Sequence, residues 1–169
     1  LWIIQSVRHE FEDRYTFAEL CKEAEETDYI TSRIDVNNKC FLAPENMTEA
    51  IKSYCNNNDL IIPDTAGEIA AVVYKSLADS YADTVMQIEK NLDITYDAIY
   101  VIGGGANAGY LNQLTADSTG KTVVAGPAEA TAIGNIMAQM IADSVFKNLK
   151  EARACVRAVS YTHLRAHET

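Results

Sequence analysis

The chain has 169 residues, 48% of them hydrophobic and 22% charged, and a formal net charge of −10 at pH 7. That is ordinary globular composition, with enough length for one core of moderate size. The acidity argues against nucleic acid as a partner, because neutralising phosphates needs clustered Lys and Arg, and no apolar run is long enough to span a bilayer.

A cytoplasmic location follows as the expectation, with the negative charge favouring solubility. Cys21, Cys40, Cys55 and Cys155 are scattered without a C-x-x-C pair, so they read as reduced thiols and no metal site is expected.

In chain order, the first eleven residues carry helical spacing, with Ile4, Val7 and Phe11 on one face. No Met and no capping residue precede them, so sequence upstream of Leu1 is expected. Thr16-Phe-Ala-Glu19 is a capping box that opens a helix to about Glu25. Residues 34–36 and 41–42 read as short extended pieces. Asn46 starts a short helix with Ile51 and Tyr54 inward, ended by Asn56-Asn57-Asn58. This middle region reads as an insertion or cap.

Thr65-Ala-Gly-Glu68 is a second capping box, and Pro63 blocks extension backwards. The helix it opens is expected to reach about Asn91. Its apolar stripe is Ile69, Val72, Val73, Leu77, Tyr81, Val85 and Ile88, with Lys75, Asp79 and Glu89 on the other face. Tyr74 and Tyr81 read as packing residues. Residues 98–102 form a strand that runs into Gly103-Gly104-Gly105. A helix over 106–118 with Leu111 and Leu114 inward, stopped near Gly120, leads to a second strand at 122–125. Gly126-Pro127 breaks that strand before a small-residue-rich helix over 128–146, in which Glu129 caps the first turn, Ala130, Ala132 and Gly134 allow close packing, and Met137 and Met140 face a core. Asn148 to Glu151 cap a last short helix. The order predicts a parallel α/β arrangement.

Residues 159–169 resemble the translation of a sequencing adaptor, and a non-native tail is expected over 158–169. His163 and His167 lie in it; their i,i+4 spacing would mimic a metal pair only on a helix. His9 reads as a surface residue.

A strand, three glycines and then a helix make a geometry for approaching a nucleotide. Without Cβ atoms the backbone turns sharply and admits a ligand, and the helix start offers unpaired N–H groups. Gly103-x-Gly105-x-x-Ala108 formally fits a dinucleotide fingerprint, but no acid ends the next strand, and no Gly-Lys-Ser/Thr follows for a P-loop.

A longer match is more specific. The run from Tyr100 to Asp117, the run from Val124 to Asn135, residues 76–82 and Leu1-Trp-Ile-Ile-Gln5 together resemble the FGGY carbohydrate kinases. Within that family they are most similar to the branch that phosphorylates L-rhamnulose. The resemblance implies an actin-like, ribonuclease H-like fold, with residues 1–157 as part of the second, C-terminal, ATP-binding domain, truncated at its start. It implies ATP and Mg²⁺ as cofactors and L-rhamnulose as substrate of the whole enzyme. It assigns nucleotide contacts to Gln5 and Gly104, with Gly103 and Gly105 beside it and Asn107 near adenine or ribose. The general base is expected upstream of residue 1, which would leave this chain alone inactive. A fuculose or xylulose kinase of the same family, or a non-catalytic actin-like nucleotide module, are the alternatives.

Overall fold

The computed structural model describes residues 2–27, 29–160 and 162–167. Leu1 and, in the tail, Tyr161, Glu168 and Thr169 lie outside the described residues. Helix α1 spans Trp2–Glu10 and buries Ile3, Ile4 and Val7. Helix α2 spans Phe17–Glu26 behind a complete capping box, in which the Glu19 amide donates to Thr16 Oγ1 at 3.2 Å and the Thr16 amide to Glu19 Oε2 at 2.7 Å. Helix α3, Met47–Asn57, takes Asn46 as its cap. The Glu10 carboxylate at the end of α1 also accepts from the Met47 and Thr48 amides, placing a negative charge on the positive end of α3.

Helix α4 runs Ala66–Leu92 behind the second capping box and ends on Asp93 in the left-handed region. Strand β1 is Ala98–Val101, and a 3-10 turn follows at Gly104–Asn107. Helix α5, Gly109–Thr119, stops on Gly120, whose φ of +66° is the left-handed conformation that glycine adopts without strain. Strand β2 is Thr122–Ala125, helix α6 Ala130–Ala142, helix α7 Leu149–Ser160 and strand β3 Thr162–Leu164.

β1 and β2 pair in parallel, Ala98 opposite Thr122, around α5. β3 adds antiparallel to β2, with His163 opposite Val124. The sheet is therefore mixed, where a parallel one was expected, because the tail folds back as a strand. His163 and His167 do not share a helix; the latter has Nδ1 3.1 Å from Asp117 Oδ2.

The core is mainly helical, built on α4, which packs chiefly on α2 and α5. Burying Ile4, Val7, Leu20, Ile51, Ile69, Val72 and Val73 contributes about 1.5–3 kcal/mol each. At Gly67 α2 and α4 pack tightly: a Cβ there would lie 3.0 Å from Glu23 Cβ and 3.1 Å from its carbonyl oxygen.

Four expectations change. The middle region is not peripheral, since Ile30, Ile34, Phe41, Met47, Ile51 and Cys55 all join the core. Residues 34–36 form no strand, and Lys39–Phe41 is a 3-10 turn. Lys75 does not face solvent; it is 5% exposed, with Nζ donating to the Ile30 carbonyl at 2.9 Å. The apolar stripe of α4 is buried as far as Ala78, whereas Tyr81 and Ile88 are exposed.

The last third is looser. α6 is shorter than 128–146 and holds no buried residue, with Met137 and Met140 only half-buried. A Cβ on Gly134 would meet nothing within 4 Å, so the small residues of α6 do not serve close packing. Glu129 is the residue before the helix and makes no side-chain cap bond. Asn148 does cap α7, accepting from the Glu151 amide at 3.0 Å.

Candidate functional site

A cleft of about 550 Å³ opens between α1, the start of α2, the middle of α4 and the glycine turn. Its position follows from local rules. The α1 stripe buries Ile4 and turns Gln5 outward, so the neighbouring residues give the cleft a floor and a polar edge. The capping box fixes Thr16, and Phe17 and Ala18 follow it along the wall. Phe17 is exposed, and the Arg8 guanidinium stands 4.9 Å above its ring. Tyr74 reaches the cleft from α4, its ring edge-on to Tyr110 at 6.1 Å.

Gly104, Asn107 and Ala108 complete the wall. The turn that carries them is tied down where it leaves β1. Gly103 takes φ +78°, and its amide donates to the Pro127 carbonyl at 3.4 Å, while the Gly126 amide donates to the Val101 carbonyl at 2.8 Å. These bonds tie the loop after β1 to the loop after β2. Within the turn the Ala106 amide donates to the Gly103 carbonyl at 3.0 Å and the Ala108 amide to the Gly105 carbonyl at 3.1 Å. Helix α5 then begins at Gly109 rather than at 106. Its N-cap, Ala108, offers no side-chain hydrogen bond to the first-turn amides.

Of the five residues singled out from the sequence, Gln5, Gly104 and Asn107 line this one cleft, although Gln5 lies about a hundred positions from the other two. Gly105 lines a different cavity, against Ile99 and Thr115, and Gly103 lines neither. Gly103 needs its missing Cβ for its backbone angle. Gly104 does not: its φ is ordinary, and a Cβ there would meet no protein atom within 4 Å. Nothing inside the chain requires glycine at 104, and the space beside its backbone is open.

The electrostatics are those of a neutral pocket. No Lys, Arg, Asp or Glu lines it, and burial, with Cys21 beside it, pushes the Tyr74 phenol well above its ordinary value, so the hydroxyl stays protonated. Such a wall suits a flat, uncharged, partly apolar group with a few hydrogen-bonding edges. Gln5 and Asn107 each supply both donors and acceptors. Among the described residues no three His, Cys, Asp or Glu side chains converge as a metal site.

The sequence reading had passed over Thr16, Phe17 and Ala18 as wall residues, and Tyr74 as more than packing. Nothing in helical spacing marks them, because the cleft is made by elements far apart in the chain. Asn112 was also missed, though an amide at a position flanked by Leu111 and Thr115 on the buried side of α5 is a legible signal.

Residues 1–142 match the model of the FGGY family of carbohydrate kinases, C-terminal domain. A rhamnulokinase of Bacillus subtilis (strain 168) is 45% identical over 93% of this chain, covering 32% of that protein. Rhamnulokinases of Oceanobacillus iheyensis and Lactiplantibacillus plantarum are 45% and 38% identical, over 93% and 92% of this chain and 33% and 32% of their own lengths. The chain thus spans about a third of the length of the curated relatives it matches. No helix is long and apolar enough to cross a membrane among the described residues. With its α/β architecture and a match over residues 1–142, the chain belongs to the FGGY carbohydrate kinases and corresponds to their C-terminal domain.

Proposed function

We propose that this chain is the nucleotide-binding part of an actin-like, ribonuclease H-like sugar kinase that transfers phosphoryl from ATP to the 1-hydroxyl of L-rhamnulose in L-rhamnose catabolism. The observation that carries the reading is the convergence of Gln5, Gly104 and Asn107 on one neutral cleft of about 550 Å³. The names of the relatives supply the sugar.

ATP fits the residues present through its adenosine end. The unfilled space at Gly104 lets a base or ribose approach the peptide backbone. Gln5 and Asn107 bind its polar edges, and the exposed Phe17 ring its flat face. With no cation in the wall, the triphosphate lies outside the cleft. The uncapped first turn of α5 offers it backbone N–H groups and a positive dipole end. When bound, ATP supplies the phosphoryl group, and Mg²⁺ neutralises its charge.

Mg²⁺ has no ready set of protein ligands among the described residues, which suits an ion held chiefly by phosphate oxygens and water. This chain's own residues bind and orient the nucleotide. The general base and the sugar contacts belong to the remainder of the enzyme, so the chain alone releases no ADP. The working location of the enzyme is the cytoplasm.

The test is a chimera in which residues 1–142 replace the matching domain of the Bacillus subtilis rhamnulokinase. It is expected to release ADP only when L-rhamnulose is present. A folded chimera that binds the sugar yet releases no ADP contradicts the reading. So does L-rhamnulose-dependent ADP release by the 169-residue chain alone.

A further inference from the structure

Asn112 is 3% exposed on the first turn of α5. Its Nδ2 donates to the Ala106 carbonyl at 3.0 Å and lies 3.4 Å from the Gly105 carbonyl. Its own amide donates to the Ala108 carbonyl at 2.9 Å. One side chain and one amide therefore hold three carbonyls, those of Gly105, Ala106 and Ala108, in the segment that carries Gly104, Asn107 and Ala108 to the cleft. Both side-chain acceptors are carbonyl oxygens, so only an N–H donor serves, and the amide orientation is fixed by its partners.

We infer that Asn112 is a positioning residue for nucleotide binding: it sets the peptide planes of the Gly104–Asn107 turn, and through them the wall that Gly104 and Asn107 present. The inference rests on the proposed nucleotide site. The turn's backbone bonds, from the Ala106 amide to the Gly103 carbonyl and from the Ala108 amide to the Gly105 carbonyl, are of the kind that a 3-10 segment makes poorly. A short turn with two glycines has many alternative shapes, and a buried amide selects one of them. Aspartate would keep the shape of the side chain but present acceptors to acceptors.

The test titrates ATP into the 169-residue chain and its Asn112→Ala, Asn112→Asp, Gly104→Ala and Asn112→Ala/Gly104→Ala variants. Each is measured well below its own thermal midpoint, so that only folded protein is compared. Asn112→Ala is expected to weaken binding about tenfold, the equivalent of one ordinary hydrogen bond, and Asn112→Asp at least as much. Amide exchange of Ala106, Asn107 and Ala108 should quicken in both, with α4 amides unchanged. Because Asn112 acts through the turn, its substitution should cost under about threefold once Gly104→Ala has already damaged that wall.

Unchanged affinity in folded Asn112 variants overturns the inference and leaves the nucleotide site standing. The same fold loss in both backgrounds also overturns it. If neither Asn112 variant folds, the residue serves stability and the inference fails. No ATP binding by the unsubstituted chain overturns this inference and the proposed site together.

Discussion

At the scale of single residues, Lys75 and Gly104 are the informative pair, because each contradicts what its type normally does. A lysine on α4 that lies 5% exposed has given up most of its hydration. The Ile30 carbonyl, 2.9 Å from Nζ, returns part of that cost and anchors the segment after α2 to the long helix. Lys75→Ala is therefore expected to lower unfolding stability by about 2–3 kcal/mol, a charged hydrogen bond together with the buried stem, measured by urea denaturation. A loss below about 0.5 kcal/mol would mean the contact is incidental. The side-chain type misled the sequence reading here, since periodicity places Lys75 on the polar face only if the apolar stripe is narrow. In fact every residue from Ile69 to Ala78 is buried, a helix wrapped on all sides. Gly104 was legible as a candidate ligand position from the glycine run, whereas Gln5, which shares its cleft, was legible as a candidate only through the family resemblance.

At the scale of elements, the two capping boxes account for much of the order in the first half. Both were readable as Thr-x-x-Glu, and both form with the expected reciprocal bonds. Glu68 carries more than its own box. It accepts from Tyr29 Oη at 2.6 Å, from the Asp64 amide at 2.6 Å and from the Thr65 amide at 3.1 Å. The Tyr29 hydroxyl, then the two amides, hold its carboxyl below the ordinary value of 4.5. Glu19 is lowered for the same reason, by the Thr16 amide and hydroxyl. A depressed carboxyl pKa gives stability that is present above the unfolded value and lost as pH falls through the folded one. The thermal midpoint should therefore decline as pH drops below about 4.5, the loss completing at lower pH where the native carboxyls protonate. Glu68→Gln should flatten part of that slope; an identical slope in the variant would assign the acid sensitivity elsewhere. What the sequence could not convey is how α6 packs. Its alanines and methionines read as a core helix, but a helix is buried only if something covers it, and α6 meets chiefly α7.

At the scale of the molecule, a well-packed helical body carries a thinly covered sheet. Among the described residues β1 has a neighbour on one side only, Tyr100 and Ile102 are exposed, and β3 lies on the far edge of β2. The order of strands, glycine loop and helices was readable from residue patterns, and so was the parallel pairing of β1 with β2. The antiparallel β3 was not, because residues 158–169 were read as foreign to the fold, which remains our proposal for their origin. Among the described residues their contacts include the β3 ladder, Gln113 Nε2 to the Arg165 carbonyl at 2.8 Å, and Asp117 to His167. None of the described tail residues lines the cleft. Removing residues 158–169 should leave ATP affinity within about twofold while speeding amide exchange in β2, since an unpaired edge opens readily. A large loss of ATP binding on that deletion would tie the tail to function.

The central claim is that this domain offers an adenine nucleotide a neutral cleft at Gly104. Its most direct test is calorimetric titration of the 169-residue chain with ATP and, separately, with NAD, for the unsubstituted protein and for Gly104→Val. The account predicts saturable one-to-one ATP binding, at least tenfold weaker in Gly104→Val with the fold intact by circular dichroism, because the new side chain occupies the cleft. Preference for NAD, or ATP binding that Gly104→Val leaves unchanged, would contradict it.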